Sequence, residues 1–192
     1  MFANKNNYYL YIDNTELLNL NLIRLRGKFT IIYRNIKKIE RFTSLMKFRK
    51  KCKEKNIDFY VANNLNLANN LGADGIYLSS YNKGFKQLNY NRFKGKILGS
   101  AHNFKEIFEK KRQGCKKVFL SRFLKTDYVN VNKTSFLGLL KYNLITYLVN
   151  IPLIPLGGIK TNNINLVNLV NTDRFAIYSE VKKKPAIIRR LF

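Results

Sequence analysis

The residues best suited to chemistry centre on one run, Ile-Pro-Leu-Ile-Pro-Leu-Gly-Gly-Ile-Lys-Thr-Asn-Asn at positions 151–163. A proline-flanked apolar strand there ends in Gly157 and Gly158, and a helix is expected to follow. Adjacent glycines let backbone N–H groups approach an anion, and the positive end of a following helix adds attraction. That chemistry suits the grip of a phosphate group; a tight turn that simply needs glycine accounts for the same pair. Cations stand after two other apolar runs: Arg34 and Lys37 after 29–33, and Arg122 and Lys125 after 117–121, the latter with Ser121 and Thr126. Small polar side chains stand after the rest: Asn63 and Asn64, Ser79, Ser80 and Asn82, Ser100, and Ser179. The single histidine, His102 in Gly-Ser-Ala-His-Asn, is either a general acid/base or part of the cap of the helix behind it, and capping is favoured.

Carboxylates are the missing reagent. Asp58 and Asp74 precede their strands, and Asp127 and Glu180 each stand alone. Hydrolysis by two acids flanking one bond is therefore excluded. An all-protein cage for Mg²⁺ or Ca²⁺ and a Ser-His-Asp triad are also not suggested. The formal net charge is +25, from 36 Lys+Arg against 11 Asp+Glu. Clustered cations draw polyanions by releasing counterions. A genome rich in A and T, however, favours Lys, Asn, Ile, Tyr and Phe, which are all abundant here, although it leaves the shortage of acids unexplained. The charge is read first as that bias. Nucleic acid stays an alternative partner, to be tested by salt-sensitive retention on heparin.

The rest of the composition narrows the class. Of 192 residues, 46% are hydrophobic, with 14 Phe and 12 Tyr, enough for a packed core rather than a disordered chain. Two cysteines, Cys52 and Cys115, make neither a disulfide framework nor a CxxC zinc pair, so a reduced, cytoplasmic setting is expected. The first residues carry no apolar run of signal-peptide length. No stretch reaches the ~18 apolar residues that span a bilayer, and no membrane partner is expected.

These groups need a frame that brings several strand ends together. Eight strands are predicted: Tyr8–Ile12, Phe29–Tyr33, Asp58–Ala62, Gly75–Ser79, Lys96–Ser100, Lys117–Ser121, Pro152–Leu156 and Phe175–Ser179. Helices are predicted between them over Thr15–Arg26, Lys37–Lys55, Asn64–Leu71, Phe104–Gln113, Ser135–Val149, Thr161–Asn171 and Val181–Leu191. Such alternation indicates a parallel sheet with crossover helices. Strands 4, 6 and 8 share one form, ADGIYLSS, CKKVFLSR and DRFAIYSE, each ending in serine. In a closed barrel, even strands share interior layers, so Ser79, Ser121 and Ser179 would ring one mouth. The predicted architecture is a compact α/β (β/α)8 TIM barrel, one domain over residues 1–192, with its site at the C-terminal ends of the strands.

Several ordered segments resemble the thiamine-phosphate synthase/TenI family. IDFYVANNLNLANNLGADGIYLSS is similar to that family's PFIVND…LA…ADGVHLGQ, KILGSAHNFKEI to its IIGvSvHs..E segment, IPLIPLGGIKTNNI to IPvVAIGGIt..N, and RFAIYSEV to GVAVISAI. TIIYRNIKK is a fainter echo of LLQLREK. The resemblance implies the same barrel and a transferase of thiamine biosynthesis, which couples hydroxymethylpyrimidine diphosphate with thiazole phosphate. The alternative is a TenI-like protein that binds a thiazole or thiamine phosphate without turnover.

Carried over by position, Arg34, Lys37, Ser100 and Lys125 would be catalytic. Arg34 matches the family's diphosphate-contacting Arg. Ile36 falls where the motif has Lys, so Lys37 serves only with a shift, and Ser100 aligns after a gap of one residue. Asn63, Ser80, Thr126, Gly157, Gly158, Tyr178 and Ser179 would bind substrate, the glycines and Ser179 as a phosphate cradle. Mg²⁺ is the implied cofactor, yet its two acidic ligands correspond here to Asn63 and Asn82. Tyr77 stands where His is usual, and Arg122 where TenI members that aromatise the thiazole use His. Small phosphorylated substrates are the implied partners.

Overall fold

The computed structural model describes residues 7–22, 29–35, 40–84, 93–126, 136–172 and 174–177. Eight strands form one all-parallel sheet: β1 (Asn7–Ile12), β2 (Phe29–Tyr33), β3 (Asp58–Ala62), β4 (Gly75–Leu78), β5 (Lys96–Ala101), β6 (Lys117–Leu120), β7 (Leu153–Pro155) and β8 (Arg174–Ile177). Their order is β7-β6-β5-β4-β3-β2-β1-β8, and a parallel bridge between Leu156 and Ala176 brings the two outer strands together. The ring is the expected (β/α)8 barrel, and each predicted strand lies within two residues of its place.

Side-chain alternation explains the closure. Strand β2 reads Phe-Thr-Ile-Ile-Tyr and is buried at every position, as in a parallel strand covered on both faces. Ile31 and Tyr33 join the layer shared with the helices, whereas Ile32 joins the inner cluster. That inner cluster is aromatic. Phe119 meets Tyr9, Tyr11 and Tyr77 edge-on at centroid distances of 4.9, 5.7 and 5.7 Å, and Tyr11 meets Tyr77 at 5.4 Å. Edge-to-face contact matches the positive ring edge to the negative face of its neighbour. Small residues make the room: a Cβ at Gly75 would fall 2.0 Å from Cε1 of Tyr60.

Four α-helices cover the ring among the described residues: α1 (Phe42–Glu54), α2 (Leu65–Asn70), α3 (Phe104–Arg112) and α4 (Gly138–Leu148). Asn64 and Asn103 cap α2 and α3 by accepting the N–H groups of Leu67 and Glu106. Two predicted helices differ. The segment Thr15–Arg26 holds only 3-10 turns at Thr15–Leu17 and Leu20–Leu22, with 23–28 outside the described residues. Thr161–Asn171 is reduced to a 3-10 segment, Ile164–Leu169. Asparagines crowd that stretch, and their amides compete with helical hydrogen bonds. Asn163 does so directly, accepting the Lys160 N–H at 2.7 Å and donating to the Gly158 carbonyl at 2.8 Å. The predicted helix Val181–Leu191 lies outside the described residues. No helix among the described residues is long and apolar enough to cross a membrane.

The acids that looked misplaced for chemistry hold the opposite end of the barrel. Asp74 accepts from buried Arg49 of α1 at 2.8 Å and from the Phe59 N–H at 2.7 Å. Arg49 also donates through two nitrogens to the Gly72 carbonyl, at 3.1 and 2.9 Å. Removing one partner of a buried pair leaves the other charge uncompensated. Asp74→Ala is expected to lower stability by about 3 kcal/mol in urea unfolding; a loss below ~1 kcal/mol would contradict this role.

Candidate functional site

A cavity of about 250 Å³ opens at the C-terminal mouth of the barrel. Tyr11 of β1 and Ala176 of β8, both buried, form its inner wall. Arg34 follows β2, Ser121, Arg122 and Thr126 follow β6, and Leu156, Gly157, Gly158 and Ile159 follow β7. Five strands thus meet at one cavity, and three of them, β1, β2 and β6, bring polar or cationic side chains to it.

The backbone positions this wall. Gly157 and Gly158 have φ of 99° and 72°, in the region that disfavours a Cβ. A Cβ on Gly158 would meet the Leu124 carbonyl oxygen at 2.4 Å, and one on Gly157 would meet the Arg122 nitrogen at 3.1 Å. The two loops are stitched by Phe123 N–H to the Leu156 carbonyl and Leu124 N–H to the Gly157 carbonyl, both 3.0 Å. Close packing against 122–125 is thus one reason for both glycines. Among the described residues, no acceptor takes the N–H of Gly158 or Ile159, and both residues line the cavity. The helix expected directly behind them is absent, since the first helical turn starts at Ile164. Attraction for an anion must come from amides and arginines.

Below the cavity, Tyr77, Tyr11 and Ser100 form a buried polar layer. Burial raises the Tyr77 phenol above its usual range, opposed by hydrogen bonding with Ser100 and Tyr11 and by the charge of Arg34. Burial likewise holds the Tyr11 phenol well above its usual range, again opposed by Arg34. The Arg34 guanidinium is therefore close enough to favour the charged form of both. Ser100 is buried and engaged with Tyr77, and it is not a cavity-lining group.

Asn63 and Asn82 do come together, but as a closed set. Asn63 has φ of 56° at the end of β3. Its Oδ1 accepts the Ser79 N–H at 2.9 Å and the Asn82 amide at 3.4 Å, and its Nδ2 donates to the Ser79 Oγ at 3.1 Å. Buried Lys110 of α3 donates to the Asn82 carbonyl at 2.6 Å and to Gln113 at 2.9 Å. Burial lowers the Lys110 pKa from its ordinary value. Mg²⁺ relies on carboxylate oxygens, whereas these are neutral amides already engaged, next to an ammonium group. The residues at this corner do not fit Mg²⁺. No group of three or more His, Cys, Asp or Glu suited to a metal occurs among the described residues.

Of the residues singled out from sequence, Arg34, Thr126, Gly157 and Gly158 converge on the cavity. Asn63, Asn82, Ser80, Ser100 and Lys125 do not line it. Ser80 is buried, and Lys125 is exposed beside Thr126. Lys37, Tyr178 and Ser179 lie outside the described residues. The expected serine ring is not formed by Ser79, which Asn63 engages, whereas Ser121 does reach the cavity. Sequence reasoning gave Tyr11 no role, and it placed Arg122 at the mouth after the sixth strand, where TenI members that aromatise the thiazole have His, without assigning it to substrate. The available signal was position alone, since each sits at a strand end. His102 belongs to a cap: its N–H donates to Glu106 Oε2 at 2.8 Å, and its Nδ1 lies 3.0 Å from the same oxygen. Burial pushes the Glu106 carboxyl up, but the hydrogen bonds and charge of His102 outweigh that and leave its pKa below the ordinary value.

Comparison with known proteins places this geometry. Residues 11–181 match the family model described as thiamine monophosphate synthase. A thiamine-phosphate synthase of Prochlorococcus marinus (strain AS9601) is 30% identical over 131 residues, covering 68% of this chain and 37% of the relative. One from Prochlorococcus marinus subsp. pastoris is 30% identical over 181 residues, covering 91% of this chain and 51% of the relative. The chain thus spans about half the length, or less, of these two curated relatives. The solved structure of a thiamine phosphate pyrophosphorylase from Pyrococcus furiosus superposes with a TM-score of 0.76 at 20% identity, covering 97% of this chain and 92% of that one.

Two measurements check the architecture of this mouth. Gly158→Ala is expected to cost at least about 2 kcal/mol in urea unfolding, because the methyl group meets backbone rather than a yielding side chain; an unchanged midpoint would contradict the packing. The lowered Glu106 pKa gives the first turn of α3 a pH signature. Its contribution is present at neutral pH, above the ordinary carboxylate value, and is lost as pH falls through the lowered value. Glu106→Gln should remove that slope in acid unfolding, and a slope identical to the parent's would count against it.

Proposed function

The chain belongs to the thiamine-phosphate synthase/TenI family, and from that footing we propose that it is a transferase coupling hydroxymethylpyrimidine diphosphate with a thiazole phosphate. The bond between the pyrimidine methylene carbon and the diphosphate oxygen breaks, and its electron pair leaves with the diphosphate. The thiazole nitrogen then donates its lone pair to that carbon, giving thiamine phosphate and diphosphate. Charge develops on the leaving group, so the protein's task is to place fixed positive charge and N–H donors around it. The observation that carries the reading is the single cavity shared by Arg34, Arg122 and the Gly157–Ile159 backbone. The guanidinium groups face the phosphate charges, the amides of Gly158 and Ile159 donate to an ester phosphate, and Ser121 and Thr126 offer hydroxyls. The buried Tyr11–Tyr77 layer closes the inner side to water. Lys37, Tyr178 and Ser179 are assigned to substrate by family position alone. No step is routed through a metal.

A second reading is a protein that binds a thiazole or thiamine phosphate without turnover. The closed Asn63–Ser79–Asn82 set favours it, because the family's acidic corner is replaced by amides that satisfy one another. Incubation with both substrates, followed by chromatography for thiamine phosphate, separates the readings. The transferase predicts product, with a fall in kcat of about 100-fold in Arg34→Ala. Absence of product together with micromolar calorimetric binding of thiazole phosphate would replace it with the second reading, and absence of both would remove the two.

A further inference from the structure

We propose that this mouth binds a diphosphate group without a divalent cation, Arg122 supplying, with Arg34, the positive charge that a metal ion would otherwise bring. The identity of the ligand rests on the transferase reading above; the metal-independent binding is tested apart from turnover.

Three observations lead here. First, Arg34 and Arg122 both line the same cavity, and among the described residues neither is joined to a carboxylate. Two guanidinium groups carry the same total charge as one divalent ion. Each also presents a planar fork of donors matched to phosphate oxygens, which an arginine does not lose by deprotonation. Arg34 sits close enough to Tyr11 and Tyr77 to oppose the effect of burial on both phenols, which places its charge against the inner wall.

Second, Arg122 is held in place at a conformational cost. Its φ is 61°, a left-handed conformation that a residue with a Cβ rarely adopts. Leu137 N–H donates to its carbonyl at 2.8 Å, the next residue, Phe123, donates to Leu156, and Gly157 has no Cβ to press on its nitrogen. Glycine would satisfy this backbone with less strain, yet the chain carries an arginine here, at a residue that lines the cavity. Third, the corner where a metal would sit is satisfied by amides and faces the Lys110 ammonium, which repels a cation.

Isothermal titration of the whole chain with inorganic diphosphate, at physiological salt, tests the proposal. The expected result is binding in excess EDTA that millimolar Mg²⁺ does not tighten, and at least about tenfold weaker binding in Arg122→Gln. Arg122→Gly accepts the left-handed backbone while removing the charge, so it separates charge from folding and should weaken binding equally. Lys111→Gln, on the exposed face of α3, should leave binding unchanged and so exclude a general effect of the +25 charge. Binding seen only with Mg²⁺, no binding at all, or parent-like affinity in Arg122→Gly would overturn the proposal. Diphosphate binding in EDTA without thiamine phosphate formation would leave it standing and defeat the transferase reading. Turnover with binding that requires Mg²⁺ would do the reverse.

Discussion

The backbone of the Gly157–Gly158 turn lies directly against residues 122–125, with no space for a Cβ between them. This contact sets the shape of the mouth. It lets the loop after β6 hydrogen-bond to the end of β7 and keeps the left-handed backbone of Arg122 unobstructed. It also leaves the amides of Gly158 and Ile159 at the cavity wall. A glycine pair that first reads as an anion grip is also a packing device. The two roles are compatible, because the glycines that pack against 122–125 also line the cavity.

Stability and chemistry are divided between the ends of the barrel. The N-terminal end carries the Arg49–Asp74 pair and its bonds to Gly72 and Phe59. The centre is filled by edge-to-face tyrosines and Phe119. The cavity at the C-terminal end is lined by two arginines and by no Asp or Glu. An aromatic fill this large brings the inner wall of the cavity up to Tyr11, and Ser100 is held beneath it by Tyr77.

The strands were legible because a barrel strand buried on both faces reads as a short apolar run between turn residues, as Phe29–Tyr33 and Gly75–Leu78 do. Asn103 with Glu106 gave the start of α3 from capping chemistry alone. The helix over Thr161–Asn171 was misjudged because its apolar spacing is helical while its asparagine amides bind the backbone of the preceding turn. At the site, Arg34, Thr126 and the glycines followed from strand ends. The role of Arg122 did not, because it depends on a backbone angle and on a neighbour's missing Cβ, neither of which composition or spacing encodes. Asn63 and Asn82 come near one another, but the engagement of the Asn63 amide by Ser79 and Asn82 is visible only in three dimensions.

On the proposal above, a cavity lined by two arginines and no carboxylate changes how a family reaction can be run. Two carboxylates at a metal site hold a cation that in turn holds an anion; two arginines hold the anion directly. Direct contact removes one ion from the assembly and fixes the charge in the covalent chain, with no reorganisation needed as the leaving group departs. The most direct test is a crystal structure grown with inorganic diphosphate and EDTA. The account predicts density bridging Arg34 and Arg122 in the cavity that both residues line. Diphosphate seated over Asn63 and Asn82, or an empty cavity beside an ordered diphosphate elsewhere, would contradict it.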